Sequence, residues 1–196
     1  MRIVLLGAPG SGKGTQGEAL ARRLGVRHVA SGELLRAQVA QGSELGLEVA
    51  DCLARGDLVP DDVVLSIVGT AVAEAAEAGG YILDGYPRTR AQAERAHELA
   101  RERGIGADAA VYLALDDDVA RRRLGARAGG RVDDADASVI DHRLDVFHDN
   151  MRPILDFYEE LGILVTVDAA QPVDAVTDEI LAALARPSAE SESQSS

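Results

Sequence analysis

The segment that most limits what this chain can become lies within residues 1–24. Met1-Arg2-Ile3-Val4-Leu5-Leu6 is a short apolar run of the kind buried on both faces of a sheet. Gly7-Ala8-Pro9-Gly10-Ser11-Gly12-Lys13-Gly14-Thr15 ends it, and from Gly14 onward Ala19, Leu20, Arg23 and Leu24 recur at helical spacing. Strand, glycine-rich loop and helix in that order form a nest for an anion. Backbone N–H groups turn inward, and the helix N-terminus adds its partial positive charge. Lys13 is the only lysine among 20 basic residues, so a general preference for lysine does not account for it. An ammonium is a compact point charge with three rotating donors, suited to packing between phosphate oxygens. Gly10, Ser11, Gly12, Lys13, Gly14 and Thr15 are therefore expected to hold the phosphates of a nucleotide. The match to G-x-x-x-x-G-K-[ST] departs at Gly14, where a hydroxyl residue is usual, and Thr15 comes one place later.

Composition narrows the class. With 196 residues, 46% of them apolar, the chain suits one α/β domain with small insertions. A net charge of −13 argues against a surface built for nucleic acid or anionic membrane. The single cysteine, Cys52, excludes an internal disulfide framework and a multi-cysteine zinc module, and reads as helix packing. No apolar stretch approaches the ~20 residues of a membrane span, and a core strand opens the chain, so a cytoplasmic protein is expected.

Strand candidates are residues 2–6, 27–30, 81–83, 109–115 and 163–167, with helical patterns between them. This alternation predicts a central parallel five-stranded sheet flanked by helices, with ligands beyond the carboxyl ends of the strands. Lys13 and Asp84 would share that edge. Two interruptions stand out. Residues 31–59 read as a helical pair with Gly42, Gly46 and Gly56 as breakers, a small flap before a long helix starting near Pro60. Residues 124–136 read as a short lid or hinge loop between an arginine-rich helix and a long amphipathic one. Residues 1–30, 60–123 and 137–186 then form the core, and the Ser- and Glu-rich tail 187–196 is expected to be disordered.

Three motifs together resemble the adenylate kinases of the nucleoside monophosphate kinase family. They are Gly7 to Gln16, Asp84-Gly85-Tyr86-Pro87-Arg88-Thr89 with Gln92, and Gly130-Arg131-Val132-Asp133-Asp134. The resemblance runs from Met1 to about Leu184 and implies a P-loop NTPase fold. It also implies reversible transfer of the γ-phosphoryl group of MgATP to AMP, giving two ADP. Such transfer needs little covalent help from protein but requires in-line reactants and neutralised equatorial charge. The resemblance accordingly implies catalytic roles for Lys13, Arg88, Arg123, Arg131 and Arg143. It puts Arg36 and Arg88 on the AMP phosphate, and Arg123, Arg127, Arg131 and Arg143 on the lid side.

Asp84 ends an apolar strand, where a lone carboxylate needs a cation or donors. Magnesium held through water, a helix cap and an arginine salt bridge are the open readings, with magnesium preferred. Ser31 stands where the family usually has Thr, and Glu33 where it has Asp; Ser31 suits both a helix cap and an AMP ligand. The resemblance places Leu58 and Val59 at the AMP adenine, although packing under the flap explains them equally. Gly85, Arg88 and Gln92, with Arg131 and Arg143, complete the implied AMP set. The Gln92 carboxamide can pair with both a donor and an acceptor edge of adenine, which favours AMP over UMP or CMP. On the ATP side the resemblance puts Arg123 on one face of adenine and the backbone near Gln171 on the other.

The lid holds neither Cys nor His, so a short-lid, zinc-free form is expected. The spacing to Arg143 is one residue longer than usual, with Asp141 where an arginine is common. His28, His97, His142 and His148 show no ligand spacing and read as structural or exposed. The family suggests a monomer whose partners are ATP, AMP and ADP. A UMP or CMP kinase and a P-loop regulatory module remain the alternatives.

Overall fold

The computed structural model of the chain describes residues 1–42, 44–126 and 137–185. Strands β1 (Arg2–Gly7), β2 (Arg27–Ala30), β3 (Tyr81–Asp84), β4 (Ala109–Ala114) and β5 (Leu164–Asp168) lie in the order β2-β3-β1-β4-β5. Every pairing is parallel, as apolar runs without alternation require of a sheet covered on both faces. All five expected strands are present. The last ladder closes at Ala114 opposite Asp168, so Leu115 leaves the sheet just before Asp116 caps the next helix.

Among the described residues, eight helices connect and cover the strands: α1 (Lys13–Leu24), α2 (Ser31–Ala40), α3 (Glu44–Arg55), α4 (Asp61–Glu77), α5 (Arg90–Glu102), α6 (Asp117–Gly125), α7 (Ala137–Glu160) and α8 (Val173–Leu184). Successive residues of β1 serve opposite faces, as strand geometry dictates. Val4 and Leu6 join Val68 and Val72 of α4 and Ile154 and Phe157 of α7. Ile3 and Leu5 join Leu20 of α1 and Val176 and Ile180 of α8. Each fully buried Leu or Ile contributes about 1.5–3 kcal/mol. A third cluster of Ala8, Ala120, Leu124, Ile140 and Leu144 ties the glycine-rich loop to α6 and α7.

The helical pair expected over 31–59 is α2 and α3, and Leu35 and Val49 share the apolar cluster of α4. Gly42 and Gly56 interrupt the chain beside these helices, but Gly46 does not: it lies inside α3. A Cβ there would run into the backbone of Gln38. Gly46 is a close-approach residue that lets α3 lie on α2.

Two polar links brace the frame. At the amino edge of the sheet, Arg2 N donates to Asp108 Oδ2 at 2.7 Å, and the Arg2 guanidinium reaches Asp108 Oδ1 at 2.6 Å. Behind the glycine-rich loop, Thr177 Oγ1 donates to Gln16 Oε1 at 2.7 Å and Gln16 Nε2 donates to Val173 O at 2.9 Å. Both side chains are buried. Among the described residues no helix is long and apolar enough to cross a membrane. Residues 127–136 of the expected lid and the expected tail, 187–196, lie outside the described residues.

Candidate active site

The loop between β1 and α1 is shaped by what its glycines lack. Gly12 is the N-cap of α1 at φ +91°, with open space where a Cβ would stand. That left-handed residue turns the following N–H groups toward the cleft, an arrangement disfavoured for other residues. Gly10 permits a close approach by α6: a Cβ there would meet Ala120 O at 2.8 Å. Lys13 Nζ donates to Gly7 O at 2.8 Å and to Ala8 O at 2.9 Å, so the ammonium is held at the loop mouth. Ser11 is buried with its Oγ unsatisfied, whereas Gly14 and Thr15 are exposed. An unpaired buried hydroxyl costs about 1–3 kcal/mol, which a ligand oxygen would relieve.

One open cleft of about 180 Å³ gathers much of the expected set. Gly10, Gly12, Lys13, Gly14, Arg36, Asp84, Arg88 and Arg143 line it together. The register explains the convergence, because Asp84 lies opposite both Leu5 of β1 and Ala30 of β2 at the carboxyl edge. Arg36 comes from α2, and Arg143 from α7, its stem over Gly56. The longer spacing before Arg143 therefore still delivers it to the cleft. Arg88 Nε donates to Gly85 O at 3.0 Å, which aims its guanidinium.

Asp84 caps no helix; α5, the next one, is capped by Thr89. The Asp84 side chain is 14% exposed, and His28 Nε2 lies 3.8 Å from its Oδ2, too far for a hydrogen bond but close enough for charge to act. Burial pushes the Asp84 carboxyl up, but His28, Lys13 and Arg88 outweigh it and hold it below the usual carboxylate range. His28 is thus a half-buried neighbour of the site. The other histidines are peripheral: His97 meets Phe157 edge-on, and His142 and His148 face the carboxylates of Asp57 and Asp117.

A smaller recess opens beside the cleft, lined by Ser31, Leu58, Val59, Val64, Gly85, Tyr86, Arg88 and Gln92. Apart from Arg36, Arg131 and Arg143, this contains the whole expected AMP set. Ser31 is not a cap. The cap of α2 is Ala30, without a side-chain bond, and the buried Ser31 Oγ has no partner. The hydroxyl faces Gly85, where φ is +82° and a Cβ would come within 2.6 Å of it. Gln92 is buried, its backbone N–H donating to Thr89 Oγ1 at 3.1 Å. Burial, with a smaller push from Asp61, raises the Tyr86 phenol to about 12, so it stays neutral at physiological pH.

Arg123 sits half-buried in the last turn of α6, above the loop that Gly10 and Ala120 bring together. Gln171 lies before α8, with its Nε2 donating to Glu179 Oε2 at 2.7 Å. Neither lines the cleft or the recess. Arg127 and Arg131, with Asp133 and Asp134, lie outside the described residues. No group of three or more His, Cys, Asp or Glu suited to a metal occurs among the described residues. Sequence reading missed three contacts here: His28 beside Asp84, Asp61 on Gln92, and the Gln16–Thr177 link. Only the last carried a sign, since a buried glutamine inside an amphipathic helix needs a partner.

A parallel sheet whose central strand feeds a glycine loop, a lysine and a helix, with arginines converging on the same cleft, defines a P-loop phosphotransferase. The family profile described as Adenylate kinase matches residues 5–163. The adenylate kinase of Xanthomonas euvesicatoria pv. vesicatoria is 45% identical over 188 residues, covering 95% of this chain and 100% of the relative. That of Parvibaculum lavamentivorans is 41% identical over 184 residues, covering 92% and 90%. That of Thermobifida fusca is 40% identical over 187 residues, covering 94% and 98%. The chain belongs to the adenylate kinase family.

Proposed function

We propose that this protein transfers the γ-phosphoryl group of MgATP reversibly to AMP, giving two ADP, with the roles set out here. The observation that carries the reading is the convergence of Lys13, Arg36, Arg88 and Arg143 on one cleft. It adjoins a recess that holds Ser31, Leu58, Val59 and Gln92. Four cations in one cleft suit a triphosphate and a monophosphate brought end to end, and a switch protein has no use for the second recess.

In the reaction an oxygen of the AMP phosphate forms a bond to the γ-phosphorus, and the bond from that phosphorus to the β,γ-bridging oxygen breaks. The bonding pair stays on the departing ADP, and no proton need move. Lys13 and the loop N–H groups hold the donor phosphates; Arg36 and Arg88 hold the acceptor phosphate. Arg143 faces the same space, and Arg123, Arg127 and Arg131 add charge from the lid side. Preorganised cations are worth most where transition-state charge spreads over the equatorial oxygens. Exclusion of water from the cleft during transfer would keep the phosphoryl group from hydrolysis.

Asp84 fits a magnesium role, being ionised, nearly buried and close to the loop, since a Cβ added at Gly14 would lie 3.9 Å from Asp84 Oδ2. One carboxylate suits an ion that keeps several waters and takes its other ligands from phosphates. The ion supplies charge neutralisation between the phosphates when bound. The reading includes no zinc, a monomeric state, ATP, AMP and ADP as ligands, and a cytoplasmic location.

The test is coupled ADP formation from MgATP with AMP, UMP, CMP and GMP offered separately at equal concentration. Turnover with AMP far above the others is the expected result. Preference for a pyrimidine would move the chain to a sister kinase, and silence with every acceptor would favour a regulatory module.

A further inference from the structure

Gln92 carries two hydrogen bonds to protein that leave its carboxamide with a defined polarity. Its Oε1 accepts from Arg88 N at 2.7 Å, and its Nε2 donates to Asp61 Oδ1 at 2.5 Å. The orientation follows from chemistry: a backbone N–H can only donate and a carboxylate can only accept. The backbone of Gln92 is pinned as well, through its bond to Thr89 Oγ1. Gln92 lines the recess beside Ser31, Leu58, Val59 and Val64, whereas Asp61 does not. Asp61 opens α4 and reaches Gln92 across 31 positions of sequence.

We infer that Asp61 is a specificity-determining positioning residue: by holding the Gln92 amide nitrogen, it fixes which purine edge the recess accepts. This rests on the AMP reading given above. A carboxamide has two N–H donors and two acceptor lone pairs. Asp61 and Arg88 N take one of each, so one N–H and one lone pair remain, side by side and in fixed order. Adenine offers an acceptor at N1 beside a donor at N6, which complements that order. Hypoxanthine and guanine offer a donor at N1 beside an acceptor at O6, the reverse. A free glutamine meets either by rotating half a turn about its Cγ–Cδ bond. Here that rotation would set Oε1 against the Asp61 carboxylate and the amide N–H groups against Arg88 N–H. Two attractive contacts become two repulsive ones, and a 6-oxopurine is rejected by a residue that never touches it.

The test compares kcat/KM for AMP and for IMP, which differ at this edge alone, in wild type, Asp61→Ala and Asp61→Asn. The expected result is a fall of about tenfold or more in the AMP/IMP ratio for Asp61→Ala, the scale of one such contact reversed. KM for ATP should stay within about twofold, because Asp61 does not line the cleft that the donor loop forms. Asp61→Asn should fall between, since its side chain can turn to offer either an oxygen or an N–H while Arg88 N still demands Oε1. This isosteric variant carries the test if the alanine form does not fold. A purely structural role at the start of α4 would lower the melting temperature and both efficiencies together. A ratio unchanged in a folded variant overturns the inference alone. A wild-type enzyme that turns over no AMP overturns the function reading and this inference with it.

Discussion

Nε2 of His142 lies 2.8 Å from Oδ1 of Asp57, so α7 grips the chain just beyond α3. Arg55 Nε reaches Asp57 Oδ2, also at 2.8 Å. Arg55 first and His142 second hold the Asp57 carboxyl below its usual range. The sign follows: the folded value is depressed, so the contact stabilises fully above the unfolded-state value and is lost as pH falls through the folded one. An NMR titration of the Asp57 carboxyl carbon should show a low midpoint. It should rise in Arg55→Ala and rise less in His142→Ala, because the bond to Arg55 is the larger of the two causes. A midpoint that both variants leave unmoved would show that neither contact persists in solution.

Lys13→Ala and Arg88→Ala should each cut turnover by about 10²-fold or more, the range for removing one preorganised donor from a transition state. Melting temperatures should stay near wild type, since both side chains are half-buried at a cleft and absent from the apolar clusters. Steady-state kinetics with a thermal scan decides it, and near-normal turnover in a folded variant would remove the residue from the mechanism.

Gly85→Ala should raise KM for AMP more than KM for ATP. At φ +82° a Cβ comes within 2.6 Å of Ser31 Oγ, the hydroxyl left unpaired at the recess. Forcing a side chain into that conformation costs about 1–3 kcal/mol, readable by denaturant unfolding. Unchanged stability together with an unchanged AMP KM would mean that this turn is not held as described.

At the other edge of the sheet, Asp108→Ala should cost about 1 kcal/mol at neutral pH, allowing for solvent screening of a side chain 35% exposed. Burial pushes the Asp108 carboxyl up, but its bonds with Arg2 bring it below the usual range. The wild-type advantage is present above the unfolded-state value and disappears as pH falls through the depressed one. Urea midpoints of both forms should converge in acid; a gap independent of pH would assign the effect to packing.

The sheet was legible because strands buried on both faces read as unbroken apolar runs. The phosphate loop was legible because only one chemistry asks for glycine turns and a lysine in that order. What escaped depends on partners distant in sequence. Gly46 reads as a breaker until α2 is seen against it. Ser31 reads as a cap because helix boundaries are uncertain by a residue, and one residue separates the cap from the first helical position. Nothing near Gln92 announces that Asp61 will hold its amide. His28 looks ordinary in β2 until the parallel register sets that strand beside β3 and its terminal Asp84.

The bond from Thr177 to Gln16 has a further reach. The phosphate loop depends on β1, which is flanked by β3 and β4, and its helix is bolted from behind by α8. A ribosome must therefore deliver residues 81–84, 109–114 and finally 173–177 before the loop made from residues 7–13 is fully braced. Nascent chains stalled before α8 would carry the lysine without its support. Affinity for nucleotide should thus arrive late in synthesis, so that capture on an immobilised ATP resin separates finished chains from truncated ones.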